Sequence, residues 1–206
     1  MRTNLNTSEV VSVPTPMLLL VLVCCLLLVC PLQAFFGAPT SALKSQILDL
    51  SRSVNRGLTE TPKDKAQMEK LFKQLEAKSP TKSPLNQPSL ADGMWSLEYT
   101  TSDSILGRGG YDRIGPILQL IDTKNLKAEN SETIGFFGFK IPRKVTAELT
   151  PMTKSKVAVL FKVFSIGPIK FNAPSTFTGE LDITYVDEDL RLSRGDKGNI
   201  FVLTRA

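Results

Sequence analysis

The sequence predicts a mainly β protein in which two N-terminal α-helices precede an antiparallel β-barrel. In residues 93–206, apolar and polar residues alternate in about seven or eight short segments, which are separated by turns and have no helical pattern between them. In residues 42–78, apolar residues instead recur at helical spacing. Many short strands without intervening helices are typical of a small antiparallel barrel or sandwich.

Residues 42–78 are predicted to form the helical pair. The first helix carries Leu43, Ile47, Leu50 and Val54 at helical spacing. In the second helix, Thr61 is the expected N-cap and Pro62 the first helical residue. The apolar stripe of the second helix consists of Met68, Leu71, Phe72 and Leu75. This stripe either packs against the barrel or lies on a membrane surface. Residues 79–92 form a proline-rich linker, for which no regular structure is expected.

The alternating segments identify the residues expected to line the barrel interior, since alternate residues of a strand share one face. The expected lining residues are Trp95, Leu97, Tyr99, Val157, Val159, Phe161, Val163, Leu181, Ile183 and Tyr185. They are apolar or aromatic and include no charge pair, so an open interior of this kind would bind a hydrophobic lipid. The alternative is a barrel filled by its own side chains.

The first strand begins with a Gly-x-Trp pattern at Gly93 and Trp95, which is similar to that of lipocalins. In lipocalins this tryptophan closes the barrel floor beneath a basic side chain. The resemblance implies that Arg191 or Arg194 covers Trp95 through a cation–π contact. The expected roles of these residues are therefore structural.

The C-terminal segment DITYVDEDLRLSRGDKGNIFVL, residues 182–203, predicts three strands. A turn at residues 187–189 follows the first strand, and a tight turn at residues 195–198 joins the other two. Gly195 and Gly198 are expected to adopt the positive φ that such turns require. This segment is similar to the terminal signature of the plastid lipid-associated proteins, also called plastid fibrillins. Residues 56–76, 93–107 and 114–122 resemble other segments of that family in the same order, so the resemblance runs from about residue 42 to the C terminus.

The resemblance implies a lipocalin-like barrel that binds or coats hydrophobic lipids, such as a prenylquinone, a carotenoid or an acyl lipid, at plastoglobules or thylakoid membranes. It implies no catalytic residues. The alternative is a non-enzymatic scaffold for an isoprenoid-pathway or plastoquinone-pathway enzyme, or for a photosynthetic complex. A continuous apolar cavity would favour lipid binding, and dense packing would favour the scaffold. A lipid-modifying enzyme would need a polar pair inside the cavity.

The residue types exclude several kinds of catalysis. The chain has no histidine, and its three cysteines, Cys24, Cys25 and Cys30, all lie before residue 35. Nucleophilic systems that depend on histidine are therefore excluded, and zinc lacks its usual ligands. The acidic run at residues 187–189 has neither the glycine nor the ligand spacing of a calcium loop, so it is interpreted as a solvated turn. No cofactor and no metal are expected.

The N terminus predicts targeting to a plastid. Residues 1–34 are a predicted signal peptide, because the apolar run at residues 17–30 is shorter than the roughly 20 residues that a membrane span needs. A retained membrane anchor is the alternative. Residues 35–41 begin with Phe35 and Phe36, and the chain that follows is rich in serine and basic residues, so they are interpreted as the start of a plastid transit peptide. A signal peptide that ends in Ala34 and is followed by Phe35 resembles the two-part signal of algae with secondary plastids. The resemblance implies the complex plastid of an alga, at plastoglobules, thylakoids or in the stroma.

Charge and two apolar loops indicate the partner surface. Arg2 and Glu9 are the only charged residues before residue 35, so the net charge of +5 belongs to the remaining chain and favours anionic surfaces. Nucleic acid is not expected, because aromatic residues are not interleaved with the basic clusters. The glycine-containing apolar loops at residues 134–139 and 165–171 are flanked by Lys140, Arg143, Lys162 and Lys170. They either dip into an anionic membrane and line a lipid entrance, or pack beneath the barrel rim.

Overall fold

A computed structural model of the protein describes residues 38–108 and 110–206. Two long helices, α1 (Thr40–Ser53) and α2 (Pro62–Glu76), precede the strands, and two one-turn helices, α3 (Pro88–Ala91) and α4 (Asp103–Leu106), flank the first strand. The strands are β1 (Gly93–Thr100), β2 (Leu118–Asp122), β3 (Lys127–Phe136), β4 (Phe139–Pro151), β5 (Lys156–Ile166), β6 (Ile169–Asn172), β7 (Thr178–Val186), β8 (Leu190–Gly195) and β9 (Ile200–Arg205). The predicted signal peptide and residues 35–37 of the predicted start of the transit peptide lie outside the described residues.

Eight of the strands close an antiparallel barrel. The hydrogen-bonded order is β4-β3-β2-β1-β9-β8-β7-β5, and β5 pairs with β4 to close the ring. Strand β6 lies outside the ring, where it pairs with the C-terminal half of β5 while β7 pairs with the N-terminal half. The prediction of a mainly β, antiparallel barrel with helices before it is confirmed.

Three β-bulges determine which residues face the barrel interior. They lie in β1 between Leu97 and Tyr99, in β7 between Ile183 and Tyr185, and in β5 between Phe161 and Val163. A bulge inserts one residue into a strand, so the residues beyond it switch to the opposite face of the sheet. An alternating sequence therefore does not keep one face across these three positions.

Helices α1 and α2 cover the outer wall of the barrel. The apolar stripe of α2 is buried in a cluster with Tyr99, Leu192 and Val202, which belong to β1, β8 and β9. Burial of one such aliphatic or aromatic side chain contributes about 1.5–3 kcal/mol. Of the two interpretations of the stripe, the structure thus shows packing on the barrel, and this face of α2 is not available to a membrane.

The starts of the short and long helices follow simple local rules. The amide of Asp64 donates to the Thr61 hydroxyl (3.3 Å), and the Asp64 carboxylate accepts from the amide of Thr61 (2.9 Å), so the predicted N-cap is confirmed. The expectation that the linker lacks regular structure is wrong. Pro84 starts a 3-10 turn and Pro88 starts α3, because the fixed φ of proline suits the first helical position.

Candidate functional site

The strand register identifies the interior face of the barrel. Trp95, Gln119, Asn130, Val145 and Phe164 are successive register partners across β1, β2, β3, β4 and β5. Side chains of register partners lie on the same face of a sheet. Trp95 is fully buried in the cluster inside the barrel, so the face shared by these residues is the interior one. We call them the interior ring.

Seven of the ten predicted lining residues lie on the interior face. They are Trp95, Leu97, Val157, Val159, Phe161, Leu181 and Ile183. Trp95, Leu97 and Ile183 belong to the buried interior cluster. Val159 is the register partner of Leu149, which packs against that cluster, and Phe161 is the partner of the buried Ala147.

The prediction that Tyr99, Tyr185 and Val163 also line the interior is wrong, because each follows one of the three bulges. Tyr99 and Tyr185 lie in the cluster beneath the helices, where their hydroxyls donate to Glu60 and Asp187. Burial and these acidic partners raise the pKa of both tyrosines, so both hydroxyls remain protonated donors. Val163 pairs with Thr146 on the outer face.

Two arginines lie against the Trp95 ring near the end of the barrel that holds the β2–β3 turn, which we call the floor. The guanidinium carbon of Arg205 lies 4.0 Å from the ring centroid, and that of Arg191 lies 4.9 Å away. Arg205 also donates to the Leu90 and Asp92 carbonyls, and the indole Nε1 donates to the Ala91 carbonyl (2.9 Å). Arg205 is not among the residues predicted from the sequence, although it follows Leu203 with the strand period of two.

Of the two arginines proposed to cover Trp95, the structure shows Arg191 in that role. Arg194 instead points to α2, where its guanidinium lies 4.8 Å from the Phe72 ring and pairs with Glu69 (3.0 Å) and Glu76 (2.8 Å). The hydrogen bonds to these carboxylates raise the pKa of Arg194 despite its partial burial. Arg194 therefore ties the helix to the barrel wall.

The three glycines with expected structural roles differ in what constrains them. Gly93 has φ +100°, and a Cβ at this position would lie 3.2 Å from the Arg205 guanidinium. Gly198 has φ +73°, as expected for the final turn. The expectation of a positive φ at Gly195 is wrong: this glycine belongs to β8, and a Cβ here would lie 3.3 Å from the ring of Phe201.

The interior carries polar groups that the sequence analysis did not anticipate. Arg191 donates to the side-chain carbonyl of Gln119, and the Gln119 amide donates to the side-chain carbonyl of Asn130 (2.9 Å). Burial, and to a smaller extent the nearby Arg205, lower the pKa of Arg191 to about 9, so Arg191 remains a cation at neutral pH.

A charged cluster lies on the same face, farther from the floor. Glu132, two residues after Asn130 on β3, forms ion pairs with Arg113 (2.5 Å between nitrogen and oxygen) and with its register partner Arg143 (3.2 Å). The expectation of an interior without a charge pair is therefore wrong. Polar residues in β2 and β3 suggest a solvent-facing side when the sequence alone is considered.

Four phenylalanines form an aromatic cluster toward the opposite end of the barrel. Phe164 stacks on Phe171 (5.6 Å between ring centroids) and contacts Phe161 (6.5 Å) and Phe177 (5.7 Å). Phe171 and Phe177 are exposed, and Phe161 and Phe164 are only half-buried. The interior is thus bordered by accessible aromatic rings at this end, which we call the rim.

The tips of two hairpins extend the rim with exposed apolar side chains. This rim patch consists of Phe136, Phe137, Phe139, Ile166 and Ile169. The most exposed members are Phe137 (86%), Phe139 (71%) and Ile169 (65%). The two tips are neighbours, since the amide of Gly167 donates to the carbonyl of Pro142 (2.8 Å). Of the two interpretations of these loops, core packing beneath the rim is therefore wrong.

Phe137 is a large apolar residue that is exposed to solvent and has a positive φ, and both features are unfavourable for phenylalanine. It has φ +46° and precedes Gly138 with φ +82°, in a two-residue turn between the paired residues Phe136 and Phe139. Both central residues of such a turn have positive φ, which favours Asn-Gly and costs an ordinary side chain about 1–2 kcal/mol. The protein therefore places a large apolar side chain in solvent at an energetic cost.

Two surface cavities lie outside the interior ring. One, of about 330 Å³, adjoins the rim patch and is lined by Gly110, Tyr111, Asp112, Gly135, Phe136 and Phe137. The other, of about 490 Å³, lies between the first half of α2 and the barrel wall, and its lining includes Lys65, Glu69 and Arg194. Among the described residues, no group of three or more acidic, histidine or cysteine side chains is arranged to hold a metal ion. Within those same residues, no helix has both the length and the hydrophobicity to cross a membrane.

An exposed apolar patch of this kind marks a contact surface for a membrane, a ligand or another protein. Residues 41–204 match the PAP_fibrillin family, and the chain therefore belongs to this family of plastid-lipid-associated proteins. This finding confirms the family resemblance seen in the sequence.

Individual relatives agree with this assignment. The chain is 39% identical to the probable plastid-lipid-associated protein 5 of Arabidopsis thaliana, over 84% of this chain and 76% of the relative. It is 27% identical to the plastid lipid-associated protein 2 of Brassica campestris (81% and 69% covered) and 28% identical to the chromoplast-specific carotenoid-associated protein of Cucumis sativus (79% and 67% covered). These relatives are chloroplastic or chromoplastic proteins, which confirms the predicted plastid localisation.

Proposed function

We propose that this protein is a structural lipid-binding protein of plastoglobules or thylakoid membranes. It docks on the lipid surface through the rim patch and takes up a hydrophobic lipid between the rim and the floor of the barrel. The observation that carries this proposal is the exposed Phe137 in its strained turn, because strain kept at an exposed position points to a function outside the fold. The carotenoid association in the name of the cucumber relative supports a hydrophobic ligand.

The rim patch suits a reversible contact with an anionic lipid surface. Each large apolar side chain that enters the acyl region contributes about 1.5–3 kcal/mol. Lys140 and Lys170 flank the patch, are exposed, and form no ion pair within the described part of the chain. A basic residue near an anionic membrane contributes about 1 kcal/mol. Apolar insertion and charge attraction therefore act at the same tips.

The rim also offers an entrance to the interior. Phe161 and Phe164 lie on the interior face, and they contact the exposed rings of Phe171 and Phe177. A lipid chain that leaves the surface at the rim patch would therefore meet apolar side chains along β5. Val159 and Leu149 follow on the same face in the direction of the buried cluster.

The rim patch is tested by Phe137→Asn. Asparagine tolerates the left-handed backbone, so we expect the free energy of unfolding to rise by about 0.5–1 kcal/mol. The loss of one inserted ring should weaken binding to anionic vesicles by about 10-fold to 100-fold. Denaturant midpoints and vesicle flotation measure the two effects, and their opposite signs separate binding from stability.

The matched control for this variant is Leu126→Asn. Leu126 also has a positive φ (+53°) and is exposed, but it lies in the β2–β3 turn at the floor. We expect a similar gain in stability and unchanged flotation. If both variants lose vesicle binding equally, or if neither does, the rim patch is not the docking surface.

Uptake of a ligand is tested by comparing Val159→Thr with Val163→Thr. Both valines are half-buried on β5, but the bulge places Val159 on the interior face and Val163 on the outer face. A hydroxyl without a partner next to a lipid chain costs about 1–3 kcal/mol, so Val159→Thr should weaken prenylquinone binding about tenfold and Val163→Thr should not. Quenching of Trp95 fluorescence reports the binding. Equal losses, or the absence of saturable quenching from a protein that still floats with vesicles, would instead support a coat or scaffold that takes up no ligand.

A further inference from the structure

The hydrogen-bonded chain Arg191–Gln119–Asn130 has a fixed direction. Arg191 is 1% exposed, and a guanidinium has donors only. Its partner Gln119 must therefore present the side-chain carbonyl to Arg191 and the amide group to Asn130. Asn130 accepts through its carbonyl, which leaves its own amide group, Nδ2, as a donor without a protein partner among the described residues.

The free end of this chain lies on the interior face of the barrel, and the next β3 residue on that face is Glu132, whose carboxylate is paired with Arg113 and Arg143. Gln119 and Asn130 both belong to the interior ring, and they are half-buried, so the ring is accessible at this point. The next member of the ring is Val145, followed by Phe164 of the aromatic cluster. A ligand whose chain contacts these apolar side chains would bring its polar end to the Asn130 amide.

Unpartnered polar atoms deeper in the same region point to a ligand that accepts hydrogen bonds. The Nε of Arg191 and the hydroxyl of Ser193 are buried without a hydrogen-bond partner, and both residues face the interior from β8. Within the described residues, neither Arg191 nor Arg205 pairs with a carboxylate. A buried cation without a counter-ion is costly, and an acceptor group nearby offsets part of that cost.

We propose that the Arg191–Gln119–Asn130 chain selects lipids whose polar end accepts hydrogen bonds, namely a carboxylate or a quinone carbonyl. The site discriminates against lipids that end in a cationic donor and against plain hydrocarbons. This inference rests on the proposed uptake of a lipid into the barrel and adds the chemical class of its head. The Asn130 amide is the contacting donor, and Arg191 acts through Gln119 as a positioning residue.

The test uses a protein that comprises residues 38–206. Its ligands have matched sixteen-carbon chains. Palmitic acid, methyl palmitate, hexadecylamine and hexadecane compete for a fluorescent lipid probe, and a short-chain prenylquinone is measured beside them. We expect the acid to bind at least tenfold more tightly than the amine and the hydrocarbon. A comparison of the acid with the quinone distinguishes the two sources of acceptor.

The variant Asn130→Asp reverses the polarity of the free end. Its carboxylate still accepts from the Gln119 amide, but the donor that faced the ligand becomes an acceptor. We expect palmitic acid to lose at least tenfold in affinity and hexadecylamine to gain, while hexadecane stays unchanged. Ser131→Asp is the matched control, since it adds the same charge one residue along β3 on the outer face, opposite Lys144.

Three results would overturn the proposal. The first is a wild-type protein that binds the amine or the hydrocarbon as tightly as the acid, which requires no variant. The second is an unchanged preference in a folded Asn130→Asp protein, or an equal change in Ser131→Asp. Either result would contradict the selection by polar end group and would leave the proposed uptake of a lipid into the barrel intact. If no ligand displaces the probe, the uptake itself fails, and the selection fails with it.

Discussion

Replacement of Trp95 by alanine should lower the free energy of unfolding by about 3–5 kcal/mol, as for other large buried aromatic residues. Trp95 is completely buried, and the guanidinium groups of Arg205 and Arg191 both form cation–π contacts with its ring. Its removal would leave both cations facing an empty space and would remove the indole bond to the Ala91 carbonyl. Urea unfolding followed by circular dichroism measures the effect, because Trp95 is the only tryptophan in the chain.

Trp95→Phe is the control for this variant. Phenylalanine keeps an aromatic face for the two guanidinium groups and loses the hydrogen bond to Ala91, so a cost of about 1–2 kcal/mol is expected. The difference between the two variants then reports the filled volume and the cation–π contacts. If alanine and phenylalanine cost the same, the floor does not depend on the aromatic ring.

The strands and the second helix could be predicted from local sequence because each follows a local rule. The alternation in β1, β5 and β7 predicts that each is a strand, although the bulges change which face its residues share. Thr61 and Pro62 start α2 through side-chain capping and a fixed φ. The bulges could not be predicted in this way. Glu98 is the extra residue of β1 opposite β9, and nothing in the alternation distinguishes it from its neighbours.

The candidate site was predicted only in part, for a related reason. Gln119 and Asn130 are polar, and a polar residue in an alternating strand is usually assigned to the solvent side. Their orientation depends on register with Trp95, which is a property of the closed barrel. Likewise, the glycines around Phe137 reveal a turn, but whether the ring is covered depends on the neighbouring β5–β6 hairpin.

Removal of α1 should be even more costly than loss of Trp95, although its sequence also resembles the continuation of a transit peptide. Leu43 and Ile47 are buried against α2 and the barrel wall, and Lys44 pairs with Asp187 in the β7–β8 turn (2.5 Å). Each of the two apolar side chains is worth about 2–5 kcal/mol, and a domain of this size has about 5–15 kcal/mol in total. A protein that begins at Asn55 should therefore be largely unfolded at room temperature.

The control for the protein that begins at Asn55 is one that begins at Ala38 and retains all of α1. This control should be folded at room temperature and should unfold in one cooperative transition. Two double variants test α1 within the intact chain. Leu43→Ala with Ile47→Ala should lower the free energy of unfolding strongly. Ser45→Ala with Gln46→Ala, on the exposed side of α1, should change it by less than about 0.5 kcal/mol. Because the fold needs Leu43 and Ile47, we expect the targeting segment to be cleaved on the N-terminal side of Thr40. Mass spectrometry of the protein from plastids measures the mature N terminus. A mature N terminus beyond Ile47 in a folded protein would show that α1 is dispensable.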